Sequence, residues 1–160
     1  MTDLIDLTAR FTMPAAMSLL PAKMDSPEAR AMILAIGLQE SNFEHRKQIV
    51  GPARGLFQFE SGGGIRGVLT HRASAEPAMV VCEALLYEPS DWAVYLALAD
   101  NDVLACAFAR LLLWTLPAAL PKQGDAEEGW RQYIAAWRPG KPHPATWGEH
   151  FNKAWSLLGD

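Results

Sequence analysis

At position 40 a glutamate occupies a place where an apolar helical rhythm calls for a buried side chain. In "SPEARAMILAIGLQES", Met32, Ile33, Ile36, Gly37 and Glu40 follow the i, i+3, i+4 spacing, so the carboxylate extends the inward-facing stripe at the C-terminal end of a helix. Burial and the negative end of the helix dipole both disfavour an ionised carboxylate there. A raised pKa is therefore expected, which is what a carboxyl group needs to act as an acid near neutral pH. The competing reading is that the helix frays by Glu40 and its side chain turns into water.

Other chemistries find less support. His45, His71, His143 and His150 are widely separated and form no HExxH pattern, so no zinc site is expected. There is no GxSxG nucleophile turn, and "GGGIRG" lacks both the preceding strand and the lysine-serine of a phosphate loop. No cofactor or metal is implied. A formal net charge of -4 and 14 scattered basic residues give no footprint for nucleic acid. Cys82 and Cys106 lie in apolar runs and read as small core residues, with a single disulfide as the other possibility.

The elements that must hold Glu40 are helical. Alternating β-branched runs are largely missing, while proline and cap residues predict helices starting near Asp3 and at Pro14, Ser26-Pro27, Glu76-Pro77, Ser90, Asn101, Asp125 and Thr146. "DAEE" from Asp125 and "TWGE" from Thr146 have the spacing of capping boxes. The exception runs from Gly51 to Gly67, where "GPARGLFQFESGGGIRG" predicts a small β-hairpin or an irregular loop. Seventeen helix-free residues is long for a compact domain and suggests a functional loop.

With 160 residues the chain has the size of one domain, and half of its residues are hydrophobic, a globular composition. Its mean hydropathy is +0.01. The most apolar run, "VLACAFARLLLWTLPAAL", contains Arg110 and is interrupted by Pro117, so it predicts a buried helix and no stable membrane insertion. The acidic start "MTDLIDLTARF" has no block of apolar residues and predicts no Sec signal.

"QESNF" followed by "GPARGLFQF" resembles the catalytic signature of lytic transglycosylases and goose-type lysozymes, members of the lysozyme-like superfamily. In that signature a glutamate-serine pair ends a helix and a turn follows that reads Gly-Leu, then an aromatic residue or Met, then Gln. The resemblance covers mainly Ile33 to Phe59. It makes Glu40 the catalytic acid, Ser41 the neighbour that contacts substrate and steadies the carboxyl, and Gly55, Leu56, Phe57 and Gln58 the segment lining the cleft. Further on, "YIAAWRPGKPHPATW" looks like a degenerate form of the family's late helix, which gives Tyr133 a substrate role, with core packing as the alternative. Trp137, Arg138, Lys141, His143 and Trp147 form an aromatic and cationic turn there, suited to sugars or acidic peptide stems, although tryptophans at helical spacing are more often core.

The resemblance implies a mainly α, single lysozyme-like catalytic domain over residues 1–160 that cleaves the MurNAc-GlcNAc linkage of peptidoglycan glycan strands, as a lytic transglycosylase with one catalytic glutamate. Hydrolysis instead calls for an additional carboxylate to activate water, for which Glu44 and Glu60 are near in sequence. A chitinase-like glycosidase and a non-catalytic wall-binding or virion structural protein are the remaining alternatives. Small size, no Sec signal and no wall-binding module suit a bacteriophage endolysin or virion-associated enzyme, made in the host cytoplasm or carried in the virion.

Overall fold

The computed structural model describes residues 3–48 and 50–159, and it is mainly helical. The first helical run comprises α1 (Leu4–Leu7), a π turn (Thr8–Thr12) and α2 (Met13–Ser18). The Met13 amide bonds back to the Thr8 carbonyl across that π turn. Pro14 therefore does not begin a separate helix; it lies within the continuing run, beside a widened turn that accommodates its missing amide.

A 3-10 turn (Ala22–Met24) leads to α3 (Pro27–Glu40), the helix that carries the candidate acid. Ser26 caps it by accepting the Ala29 amide at 3.1 Å, Pro27 occupies the first turn, and Glu28 faces the positive end of the dipole. From Ala31 to Leu38 every residue is buried, so α3 is enclosed on all sides. It packs chiefly on α9 (Pro144–Ser156) and also on α7 (Asp102–Trp114). An all-round apolar helix is stable only at the centre of a domain, and its neighbours supply that enclosure.

Asn101 caps α7, Ser90 caps α6 (Asp91–Leu98), and Asp125 caps α8 (Ala126–Trp137) by accepting the Glu128 amide at 3.2 Å. The Glu128 carboxylate turns to Arg131 and Gln132, so this capping box is one-sided. α9 starts at Pro144, two residues before Thr146, whose hydroxyl bonds Gln39 and the His143 carbonyl.

The non-helical segment ends earlier than its glycines suggest. Ser61–Ile65 form a π turn that runs into α4 (Arg66–Thr70), followed by α5 (Ala75–Ala84), so the Gly62-Gly63-Gly64 run is wound into helical structure. Between Lys47 and Phe59 the described residues contain two isolated antiparallel bridges, Lys47 with Arg54 and Arg54 with Phe59, and no named strand. Cys82 and Cys106 are buried and free. Burial pushes the Cys82 thiol up to about 11 and raises Cys106 further. Among the described residues, no helix is long and apolar enough to cross a membrane.

Candidate active site

Where α3 ends, the chain reverses sharply. The Asn42 amide bonds back to the Gly37 and Leu38 carbonyls, and Asn42 and Phe43 both take left-handed conformations, with φ of 53° and 56°. Gly37 permits this reversal. A Cβ at that position would lie 2.5 Å from Cζ of Phe43, so only glycine lets the Phe43 ring close over the helix end.

Ser41 joins this helix end to the next segment. Its hydroxyl donates to the Leu56 carbonyl at 2.7 Å and accepts the Phe43 amide at 3.2 Å. The Gly37 carbonyl lies 3.2 Å from the same hydroxyl. The four-residue turn Gly55 to Gln58 is closed by the Gln58 amide on the Gly55 carbonyl, and by paired bonds of 2.8 Å between Arg54 and Phe59. Gly55 has φ of 79°, a conformation that suits glycine, and its amide reaches the Arg46 carbonyl. Arg46 in turn grips Asp102 of α7 with two bonds, of 2.9 and 2.8 Å.

The Glu40 side chain leaves this framework towards α8, where the Tyr133 hydroxyl donates to Glu40 Oε1 at 2.5 Å. Burial raises the Glu40 pKa to about 7, with the Tyr133 hydrogen bond working in the opposite direction. The same proximity raises the phenol of Tyr133 well above its ordinary range, through burial and the neighbouring carboxyl. Tyr133 is held in turn by Trp147, stacked at 5.2 Å and 7°, and by Trp130 and Trp137. Near neutral pH both protonation states of Glu40 are well populated, so the group can give up a proton and take one back.

A cleft of about 870 Å³ opens over Glu40 and Tyr133. Gln58, Phe59 and Glu60 form one wall, and Trp137, Arg138, Lys141 and His143 line the side beyond α8. Trp137 is fixed by donating Nε1 to the Phe57 carbonyl at 2.9 Å, which ties the two walls together. Arg138 ends α8 in a left-handed conformation and brings the Pro139-Gly140 turn to the rim. Among the described residues, no group of three or more His, Cys, Asp or Glu side chains is placed to hold a metal ion. No protein-family model, curated protein or solved structure matches this chain.

The residues singled out from the sequence thus divide into two sets. Glu40 and Gln58 line the cleft, and Tyr133, itself buried, borders it through its hydroxyl on Glu40. Ser41, Gly55, Leu56 and Phe57 are buried, and Leu56 and Phe57 expose no surface at all. In this structure the Ser41, Leu56 and Phe57 side chains lie behind the cleft wall and hold the turn against α3. Trp147 is core, 2 % exposed, and donates to the Ala126 carbonyl. Of the two further carboxylates, Glu60 lines the cleft, whereas Glu44 is engaged by Asn42 outside it.

Sequence reasoning missed Gln39 and Leu112, which also line the cleft. Gln39 donates to the His143 carbonyl at 2.9 Å, accepts from Thr146, and lies 2.8 Å from His150 Nδ1, joining α3 to α9 beside the acid. Its position next to Glu40 was the available signal. Leu112 reads as one more apolar residue of a core helix, and nothing local marks it.

Proposed function

We propose that the protein is a peptidoglycan glycosidase that cleaves the MurNAc-GlcNAc linkage as a lytic transglycosylase with Glu40 as its single catalytic carboxyl group. The observation that carries this reading is a largely buried carboxyl at the end of α3 that faces an open cleft and is held by a tyrosine on one oxygen. Among the described residues, Glu40 Oε2 has no hydrogen-bond partner, so it is the oxygen available to a substrate. The lysozyme-like resemblance of "QESNF" and "GLFQF" supplies the substrate class.

In this reading protonated Glu40 gives its proton to the glycosidic oxygen as the bond to the sugar carbon breaks. The substrate's acetamido oxygen stabilises the positive centre. The resulting Glu40 carboxylate then takes the proton of the C6 hydroxyl, whose oxygen closes on the anomeric carbon. Proton count and charge are restored, and the product is a 1,6-anhydro sugar. Tyr133 supports the second half, because its hydroxyl donates to the carboxylate form. Gln58, with φ of 52° and its side chain donating to the Gly55 carbonyl, is positioned on the wall of the cleft.

Glu60 favours a second reading. It shares the cleft with Glu40, so hydrolysis through a Glu60-activated water is the alternative outcome, with the chain acting as a muramidase. Mass spectrometry of muropeptides decides between them. Fragments one water lighter than hydrolytic products, unchanged in Glu60→Gln, support the transglycosylase. Reducing-end fragments that vanish in Glu60→Gln support the hydrolase.

A further inference from the structure

A second cavity, of about 740 Å³, lies on the other side of α7 from the cleft. Leu112 faces the cleft, while Arg110, Leu113 and Trp114 face this cavity, so one helix separates the two. Arg110 is the unusual residue. It interrupts the most apolar run of the sequence and is only 4 % exposed, yet its one hydrogen bond among the described residues is from Nε to the Met24 carbonyl, at 2.6 Å. Nη1 and Nη2 have no protein acceptor there and, unlike buried atoms left without a partner, retain access to the cavity.

Asp25, the acid that acts on Arg110, does not satisfy them. Asp25 attracts Arg110 electrostatically, but both of its oxygens are taken by Arg30, at 2.8 Å each. Burial draws the Arg110 pKa down to about 10, which leaves the guanidinium charged at neutral pH. It lies 5.1 Å from the centre of the Trp114 ring, and Lys23 lies 5.5 Å from the same ring. Lys122 adds a third cation to the lining and Glu28 the opposing carboxylate, with 3.9 Å between them. Ser26 places the N-terminus of the fourteen-residue α3 at the same cavity.

Leu113, Leu116, Pro117 and Leu120 make the rest of the lining apolar. A planar guanidinium with two free nitrogens matches the two oxygens of a carboxylate. Glu28 in the wall works against a doubly charged head. We propose that this cavity binds a small organic molecule in which an apolar body ends in a single carboxylate, with Arg110 gripping the head and Trp114 and Leu113 covering the body. The site is separate from the cleft and does not depend on Glu40.

The test is an NMR titration of the isotope-labelled full chain with 3-phenylpropionate, following the Trp114 Nε1–H and Arg110 Nε–H signals. The neutral analogue 3-phenylpropionamide is titrated alongside. Saturable shifts of both signals are expected, with the acid binding at least about tenfold tighter than the amide. An acetylated dipeptide with a free C-terminal carboxylate separates a peptide end from a free organic acid: binding of either at the same two signals supports the site, and the tighter one assigns its source. Lys23→Gln, at an exposed position, should weaken the acid several-fold while folding normally, and Arg110→Gln should abolish its preference over the amide. Equal affinity for acid and amide, or no saturable shift at millimolar concentrations in the folded protein, overturns the proposal.

Discussion

Glu40 is governed by two opposing influences, burial that favours its protonated form and a tyrosine hydroxyl that favours the carboxylate. Burial dominates, which holds the pKa near 7. Replacing Tyr133 with Phe removes the opposing hydrogen bond and leaves the burial. The Glu40 pKa should rise, and the alkaline limb of the activity profile should move to higher pH. A pH-rate series on both proteins checks this, and an unmoved or lowered limb contradicts it. Turnover should fall as well, because the carboxylate formed after proton donation loses its partner. The inward position of Glu40 was legible in its spacing from Ile36 and Gly37. Tyr133 was singled out for the substrate by the late-helix resemblance, but its bond to Glu40 was not legible, because the two lie 93 residues apart and only the packing of α3 and α8 on their common neighbours α9 and α7 brings them together.

At the scale of elements, the cleft depends on a turn fastened to the end of α3. Ser41 provides the fastening, buried and bonded to the Leu56 carbonyl. Ser41→Ala leaves that carbonyl without its hydroxyl partner and should cost about 1–3 kcal/mol, read as a lower urea midpoint. Any loss of activity should come with a loosened turn; full stability would show that the bond is dispensable. Gly37→Ala should also destabilise, because the added methyl meets Phe43 and Phe57, at about 1–3 kcal/mol for an overpacked core. Helix starts at Ser26, Ser90, Asn101 and Asp125 could be read from sequence because capping is local chemistry. The helical winding of Gly62 to Gly64 could not, since glycine runs signal breaks and only tertiary contacts override them. Phe59 supplies such a contact, lying where a Cβ on Gly64 would have to go. Ser41, Leu56 and Phe57 were recognised as a group, but whether a motif residue touches substrate or holds the turn depends on burial, which spacing does not encode.

Across the whole molecule, Glu40 links folding to pH. Its pKa is about 7 when folded and near 4.5 when the chain is open. The folded state therefore holds its proton longer. Relative stability from this group is fully present below about pH 4.5 and declines as the pH rises through about 7, by about 3 kcal/mol at most. Glu40→Gln lacks that titration. Urea unfolding of both proteins from pH 4 to 8 should show the variant gaining on the wild type as pH rises, since the other acids contribute to both and cancel. A constant difference would mean that Glu40 is solvated in the folded protein.

The central claim is that Glu40, in this cleft, breaks a glycan chain, and the most direct test is mass spectrometry of the muropeptides released from purified peptidoglycan by wild-type protein and by folded Glu40→Gln. The account predicts 1,6-anhydro fragments from the wild type and a loss of at least about 100-fold in the variant, the range expected when a general acid is removed. Comparable release by Glu40→Gln, or no fragments from a well-folded wild type, would contradict it, the second result pointing to a wall-binding protein that does not cleave.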